Sequence, residues 1–313
     1  MNQDSTSICL ICESTGTVAF SSTDLMFGGD RVFHYHHCGN CGLIYQQPIP
    51  DEAGIASFYP ENYNIYTEPT HTTFSTRKRL YLSNRLGYTH LDTSGDYRPQ
   101  IVNDVIPWVP NGKLLDIGCG NGEYLLRMKS IGWQCKGVEF NDKAVSICRK
   151  HDLDIFQGDL AAASFNDASF DFVTAHHLIE HVPDPHTLMK EIVRITRPGG
   201  FVLIRTPNSE SLGRKLLGRY WFANEVPRHL LLYSEHNLKL LAEQHGLKCN
   251  RTLQPIKPKL VLRSLDYKFG NRGKPSEKTK FLRWASKLYI PAARLSRRGD
   301  ELFMLFTRKN EHK

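Results

Sequence analysis

The sequence predicts a doubly wound α/β fold with a small cysteine-stapled module ahead of it. Three observations carry that expectation. From residue 112 onward, strand-like apolar runs ending in glycines or acids alternate with helical patterns. The first of those runs, Lys113–Ile117, enters a glycine-rich turn, Gly118-Cys119-Gly120-Asn121-Gly122. Two Cys-x-x-Cys pairs, Cys9/Cys12 and Cys38/Cys41, precede all of this.

The chain has 313 residues, room for one catalytic-sized domain with attachments. Hydrophobic residues make up 40% and charged residues 23%, a globular balance that argues against wholesale disorder. No run of ~18 uncharged apolar residues occurs, which argues against a transmembrane helix. The N-terminal stretch lacks the basic segment and apolar run of a signal peptide, so a cytoplasmic protein is expected. The net charge of +8 is uneven: residues 251–313 hold 17 Lys+Arg against 5 Asp+Glu, and the first 250 hold 23 against 27. The basic character belongs to the C-terminal fifth.

In a cytoplasmic chain, paired Cys-x-x-Cys reads as a metal site rather than as disulfides. Four thiolates at Cys9, Cys12, Cys38 and Cys41 match the closed tetrahedron of structural Zn²⁺ and leave no open position for chemistry. His34, His36 and His37 are competing ligands. Thr17–Phe20 and Val32–Tyr35 predict two strands around the Phe27-Gly28-Gly29-Asp30 turn, a two-stranded ribbon within 1–50. About 40 residues with so few large apolar side chains need the metal to hold together.

In the core, Tyr124, Leu125, Leu126 and Met128 give a helical pattern after the glycines. Gln134–Glu139 is the second strand, ending in an acid about 20 residues on, where a carboxylate accepts ribose hydroxyls. A helix at 142–150 follows, then strands Asp154–Asp159 and Phe170–Ala175. Asp184-Pro185 opens a helix expected to end near Pro198-Gly199-Gly200, before a fifth strand, Phe201–Thr206. Ser234 caps a helix closing at Gly246; Leu247–Leu253 and Glu301–Thr307 complete seven strands.

In this order, LLDIGCGNGEYL, VEF, GDL, HLIEHVPDP, RITRPGGFVLIRTPN and RHLLLYS resemble a class I S-adenosylmethionine (SAM)-dependent methyltransferase. The branch resembled is that of the ubiquinone-biosynthesis O-methyltransferases, over about 100–255 and the last strand. CxxC…CGNCGLIYQQPIP with Phe58-Tyr59-Pro60-Glu61-Asn62-Tyr63 is similar to zinc-ribbon leaders on bacterial methyltransferases of sugar and cell-surface pathways. The resemblance implies a Rossmann-like seven-stranded sheet with an N-terminal zinc ribbon. It divides the chain into a ribbon (1–50), a linker or lid with a helical bridge (51–108), and a methyltransferase domain (109–313) with a basic insertion at 256–299. It further implies that Asp116 and the backbone of Gly118, Cys119, Gly120 and Gly122 hold the amino-acid end of SAM. Glu139 takes the ribose, Phe140 the adenine face, Asp159 and Leu160 the adenine amino group, and His176 lies near the methyl donor. The expected acceptor is a small molecule or sugar unit, methylated at oxygen, in cell-surface glycan or secondary metabolism. The runners-up are ribosomal RNA methylation and a non-catalytic zinc-ribbon binding protein on the same fold.

Transfer to oxygen usually needs a proton acceptor, and histidine is the side chain closest to neutrality. His176, His177 and His229 are the candidates; His181 reads as a structural residue at a helix start. His177-x-x-Glu180-His181 also resembles a metal-binding pattern of the ubiquinone O-methyltransferases, with His where that pattern has Glu. The Asn-Pro-Pro-Tyr type motif of nucleobase amino-methylating enzymes is absent, and Ala175-His176-His177-Leu178 stands in its place, which argues against a nucleic-acid partner. Tyr59, Tyr63 and Tyr66 suit either a lid or packing of the ribbon.

The link between strands six and seven is long. Phe281, Leu282, Trp284, Ala285, Leu288 and Tyr289 fall on one helical face, with Arg283, Lys287, Arg294, Arg297 and Arg298 off it or just beyond. Such a helix packs on the core or on a second copy, or docks on an anionic membrane at the inner face.

Overall fold

The computed structural model describes residues 7–59, 67–69, 109, 111–130, 132–269 and 288–310. Tyr63, Tyr66, the 70–108 bridge and the 281–287 part of the amphipathic face lie outside the described residues. The chain divides into two compact units. One comprises 1–63, 177–189 and 204–305; the other comprises 64–176, 190–203 and 306–313.

The cysteine module is built from β1 (Ser7–Ile8), β2 (Thr15–Ser22), β3 (Phe33–Cys38) and β4 (Ile44–Gln47), antiparallel in that order. A β-bulge between Val18 and Phe20 sets Phe20 opposite Tyr35, and the two rings stack at 4.8 Å. The expected two-stranded ribbon is thus too small: two further strands belong to the module, and a fifth comes from Leu231–Leu232, paired with Tyr45 and Ile44. Helix α1 (Glu52–Ala56) starts at Asp51, whose carboxylate accepts the Gly54 amide at 2.8 Å.

Next come β5 (Lys113–Ile117), α2 (Glu123–Ser130), β6 (Gln134–Glu139), α3 (Asp142–Lys150), β7 (Asp154–Gln157) and β8 (Phe170–His176). Their strands run parallel in the order β8-β5-β6-β7. Both faces are covered, so Leu114, Leu115, Phe172 and Val173 are wholly buried, each worth about 1.5–3 kcal/mol. Asn141 caps α3 through the amides of Lys143 and Ala144.

Asp184 caps α4 (Pro185–Ile195), which ends before the expected Pro198-Gly199-Gly200, because β9 (Thr196–Pro207) already begins at Thr196. Then come α5 (Leu212–Leu217), β10 (Leu231–Leu232), α6 (Glu235–Gln244) behind a Ser234/Asn237 capping box, and β11 (Leu247–Leu253). Helix α7 (Pro258–Phe269), a helical stretch at 288–295 and β12 (Glu301–Arg308) finish the fold. The large sheet has seven strands in the order β11-β12-β9-β8-β5-β6-β7, the α/β architecture the sequence predicts. Among the described residues no helix is long and apolar enough to cross a membrane.

Candidate functional site

Three clusters carry chemistry. In the N-terminal module, the Sγ atoms of Cys9 and Cys41 lie 3.5 Å apart and those of Cys12 and Cys38 3.4 Å apart, with all four within 4.8 Å of one another. A tetrahedral Zn²⁺ with Zn–S near ~2.3 Å needs sulfurs at about this spacing, so the set fits the metal the sequence implies. Knuckle amides of Ile11 and Cys41 point at the sulfurs of Cys9 and Cys38. Two of the three competing histidines turn elsewhere: His36 meets Ser7 at 2.7 Å and His34 meets Ser21 at 2.8 Å.

The second cluster surrounds the glycine turn. Gly118, Gly120 and Gly122 all have positive φ, and a Cβ on Gly122 would strike Leu153 and Cys148. Buried Glu139 accepts the Gly120 amide at 2.8 Å and those of Phe140 and Asn141 at 3.0 Å, tying the turn to the end of β6. Asp116 is buried at the end of β5 and accepts the Thr174 hydroxyl at 2.7 Å. Burial pushes its carboxyl up to about 7; the Thr174 hydrogen bond opposes that shift and the charge of Glu139 adds to it. A carboxyl so raised gains from a cationic neighbour, which suits the ammonium end of SAM. Phe140 is exposed, Leu160 is buried, and Asp159 accepts the Ala162 amide at 2.7 Å. His176 ends β8 with its ring 4.5 Å from that of Tyr124, in the same unit as this crevice.

The third cluster lies in the other unit and gathers His177, Glu180, His181, Glu225, His229 and Glu301. Glu180 is buried; its Oε1 is 3.2 Å from His177 Nδ1 and 4.0 Å from His229 Nε2, and its Oε2 has no partner among the described residues. Burial alone would raise Glu180, but the His177 hydrogen bond and the histidine charges hold it down at about 2. His177, in the left-handed region at φ 51°, spans two acids: its Nε2 is 3.6 Å from Glu301. Burial, with His229 beside it, pushes His181 down to about 4, and its Nδ1 is 3.0 Å from the Arg228 carbonyl. His229 is buried and donates Nδ1–H to the Ala223 carbonyl at 2.9 Å, which leaves Nε2 as the free nitrogen, 3.6 Å from Glu225. Donor atoms of Glu180, His181 and His229 lie within 4.8 Å of one another, a set that fits a divalent cation.

The structure therefore brings His177 and His229 together and leaves His176 beside Tyr124, in the unit that holds the glycine turn. Sequence reasoning missed Glu225 and Glu301. Glu225 was findable, four residues ahead of His229; nothing in the sequence singles out Glu301 at the head of the last strand.

Residues 98–252, about half of the chain, match the family described as Methyltransferase domain. The ubiquinone biosynthesis O-methyltransferase of Albidiferax ferrireducens is 29% identical over 162 residues, 46% of this chain and 64% of the relative. That of Cupriavidus pinatubonensis is 32% identical over 112 residues, 34% of this chain and 45% of the relative. The chain thus spans just under two thirds of the length of the first of these curated relatives and less of the second. Among solved structures, a SAM-dependent methyltransferase from Thermotoga maritima is 20% identical with a TM-score of 0.46, covering 75% of this chain and 95% of its own. One from Archaeoglobus fulgidus is 19% identical with a TM-score of 0.44, covering 74% and 93%. The chain carries a methyltransferase domain. That domain is of the SAM-dependent class, and ubiquinone-biosynthesis O-methyltransferases are among its relatives.

Proposed function

We propose that the chain transfers the methyl group of SAM to an oxygen of a small-molecule or sugar acceptor, in cell-surface glycan or secondary metabolism. The supporting observation is His229: buried, with its tautomer fixed by Ala223 and its free Nε2 facing two carboxylates. SAM when bound supplies a methyl group already activated on a sulfonium, so alignment does much of the work. Asp116 and the turn amides hold its amino-acid end, and Glu139 and Asp159 its ribose and adenine. His229 Nε2 takes the proton of the acceptor hydroxyl, and Glu225 and Glu180 stabilise the imidazolium that results. His177, between Glu180 and Glu301, holds the buried Glu180 carboxylate in place. Cys9, Cys12, Cys38 and Cys41 hold one structural zinc that takes no part in the transfer.

A second reading is favoured by the Glu180–His181–His229 donor set: a divalent cation there orients the acceptor oxygen, and His229 ligates rather than removes a proton. The deciding assay supplies methyl-labelled SAM with nucleotide sugars, glycan extracts, phenolic metabolites and purified RNA, with and without a chelator after zinc loading. Label on oxygen of a small acceptor supports the proposal. Label on RNA alone refutes it, and loss of transfer on chelation, restored by magnesium or manganese, selects the cation reading.

A further inference from the structure

We infer that the N-terminal module is a positioning element for His229, with Tyr35 as the residue that sets it. Every position around His229 is held from that module, and all of these contacts lie within one compact unit. Before it, Arg228 is wholly buried and makes a two-pronged pair with Asp24, Nη1–Oδ2 2.8 Å and Nη2–Oδ1 3.1 Å. The Phe27 ring, three residues past Asp24, covers the same guanidinium at 4.9 Å. At His229 itself, the Tyr35 hydroxyl donates to the backbone carbonyl at 2.8 Å. After it, the Gln46 amide donates to the Leu230 carbonyl at 2.8 Å, and β10 pairs with β4.

Tyr35 can do this because its own place is fixed. It is fully buried, stacked on Phe20 at the β2 bulge, and faces Gln46 across the β3–β4 ladder. Burial raises its phenol far above the usual value, so it stays a neutral donor. The cysteine knuckles are gripped from the same unit. His186 Nε2 meets the Leu10 carbonyl at 2.8 Å, Gln244 the Ile11 carbonyl at 3.2 Å, and Asn237 the Cys41 carbonyl at 3.4 Å. The module is therefore built into the frame that aims the His229 ring, with no part of it needed at the reacting atoms. Such a frame matters because a displacement of about 1 Å can cost a hundredfold in rate.

The inference rests on His229 as a group of the reaction, so the test separates the two. Full-length, zinc-loaded protein labelled with 15N-histidine is compared as wild type, Tyr35→Phe and Asp24→Asn, with His229→Gln to assign the ring. The expected result is that the His229 ring signals move or split in both variants while His186 and His245 stay fixed. Transfer of label to the acceptor fraction found active above falls about tenfold to a hundredfold in kcat. SAM affinity, measured by calorimetry on the same samples, stays within about twofold, because the cofactor crevice is untouched. Unchanged His229 signals in Tyr35→Phe, or a shift of all histidines together with early unfolding, overturns the positioning role. Moved signals with no SAM binding in the wild type leave the positioning intact and sink the methyltransferase reading instead.

Discussion

SAM should bind more tightly as pH rises, through Asp116. The carboxyl sits at about 7 because it is buried with only Thr174 to compensate. Below that value it is protonated and offers a cationic ligand little; above it, a buried negative charge awaits a partner. If only the ionised form binds the ammonium, affinity rises about tenfold between about pH 6 and 8, or ~1.4 kcal/mol. Asp116→Asn keeps the oxygen that accepts from Thr174 and removes the titration, so the slope that remains belongs to the ligand. The same substitution tests stability. A carboxyl raised above its unfolded value contributes stability below that unfolded value and loses it as pH rises through about 7. Without ligand at about pH 8, the wild type thus carries a penalty on the order of 4 kcal/mol that the Asn variant lacks. Calorimetric titration and thermal unfolding across this range measure both effects. Parallel pH slopes for the two proteins, or an Asn variant that melts below the wild type at about pH 8, would refute the reasoning.

His229→Gln should lower methyl transfer about a hundredfold or more with SAM affinity nearly unchanged, read by initial rates and calorimetry on one preparation. Metal analysis of fresh protein should give one zinc per chain, and Cys38→Ser should abolish it and unfold the N-terminal module; less than half an equivalent in the wild type contradicts the site. Arg228→Met should cost about 1.5–3 kcal/mol in denaturant unfolding, since it takes the charged hydrogen-bond partner from the half-buried Asp24. Residues 211–219 and 288–298 hold six Lys+Arg and no acid, with Leu216, Leu288 and Leu295 exposed among them. We expect anionic vesicles to retain the protein at low salt and release it at high salt, at about 1 kcal/mol per basic side chain; flotation with no retention at low salt ends that proposal.

The parts legible in the sequence were those whose physics is local. Glycines at 118, 120 and 122 announce a turn of positive φ angles that side chains adopt only at a cost, and acids at the ends of β5 and β6 mark the crevice edge of a doubly wound sheet. The cysteine spacing likewise announced a four-sulfur cluster. What stayed hidden depended on distant pairing. Strand β10 is two leucines long, too short for any alternation to register, yet it carries the join between β4 and the His229 loop. Pro198-Gly199-Gly200 reads as a stop ahead of the fifth strand, while β9 runs through it from Thr196, with Gly199 at φ 70°. Tyr289 looked like part of one amphipathic face with Leu288. It is instead buried, bonded to Asp300 and the Gly213 amide, while Leu288 is exposed. His177 and His229, 52 positions apart, meet only because Glu180 lies buried between them.

Calorimetric titration of the zinc-loaded full-length protein with SAM tests the central claim most directly. Saturable binding of one SAM per chain is expected, strengthened as pH rises through about 7 and weakened in Asp116→Asn at the alkaline end. Absence of binding in protein that is folded and metal-loaded would contradict that claim.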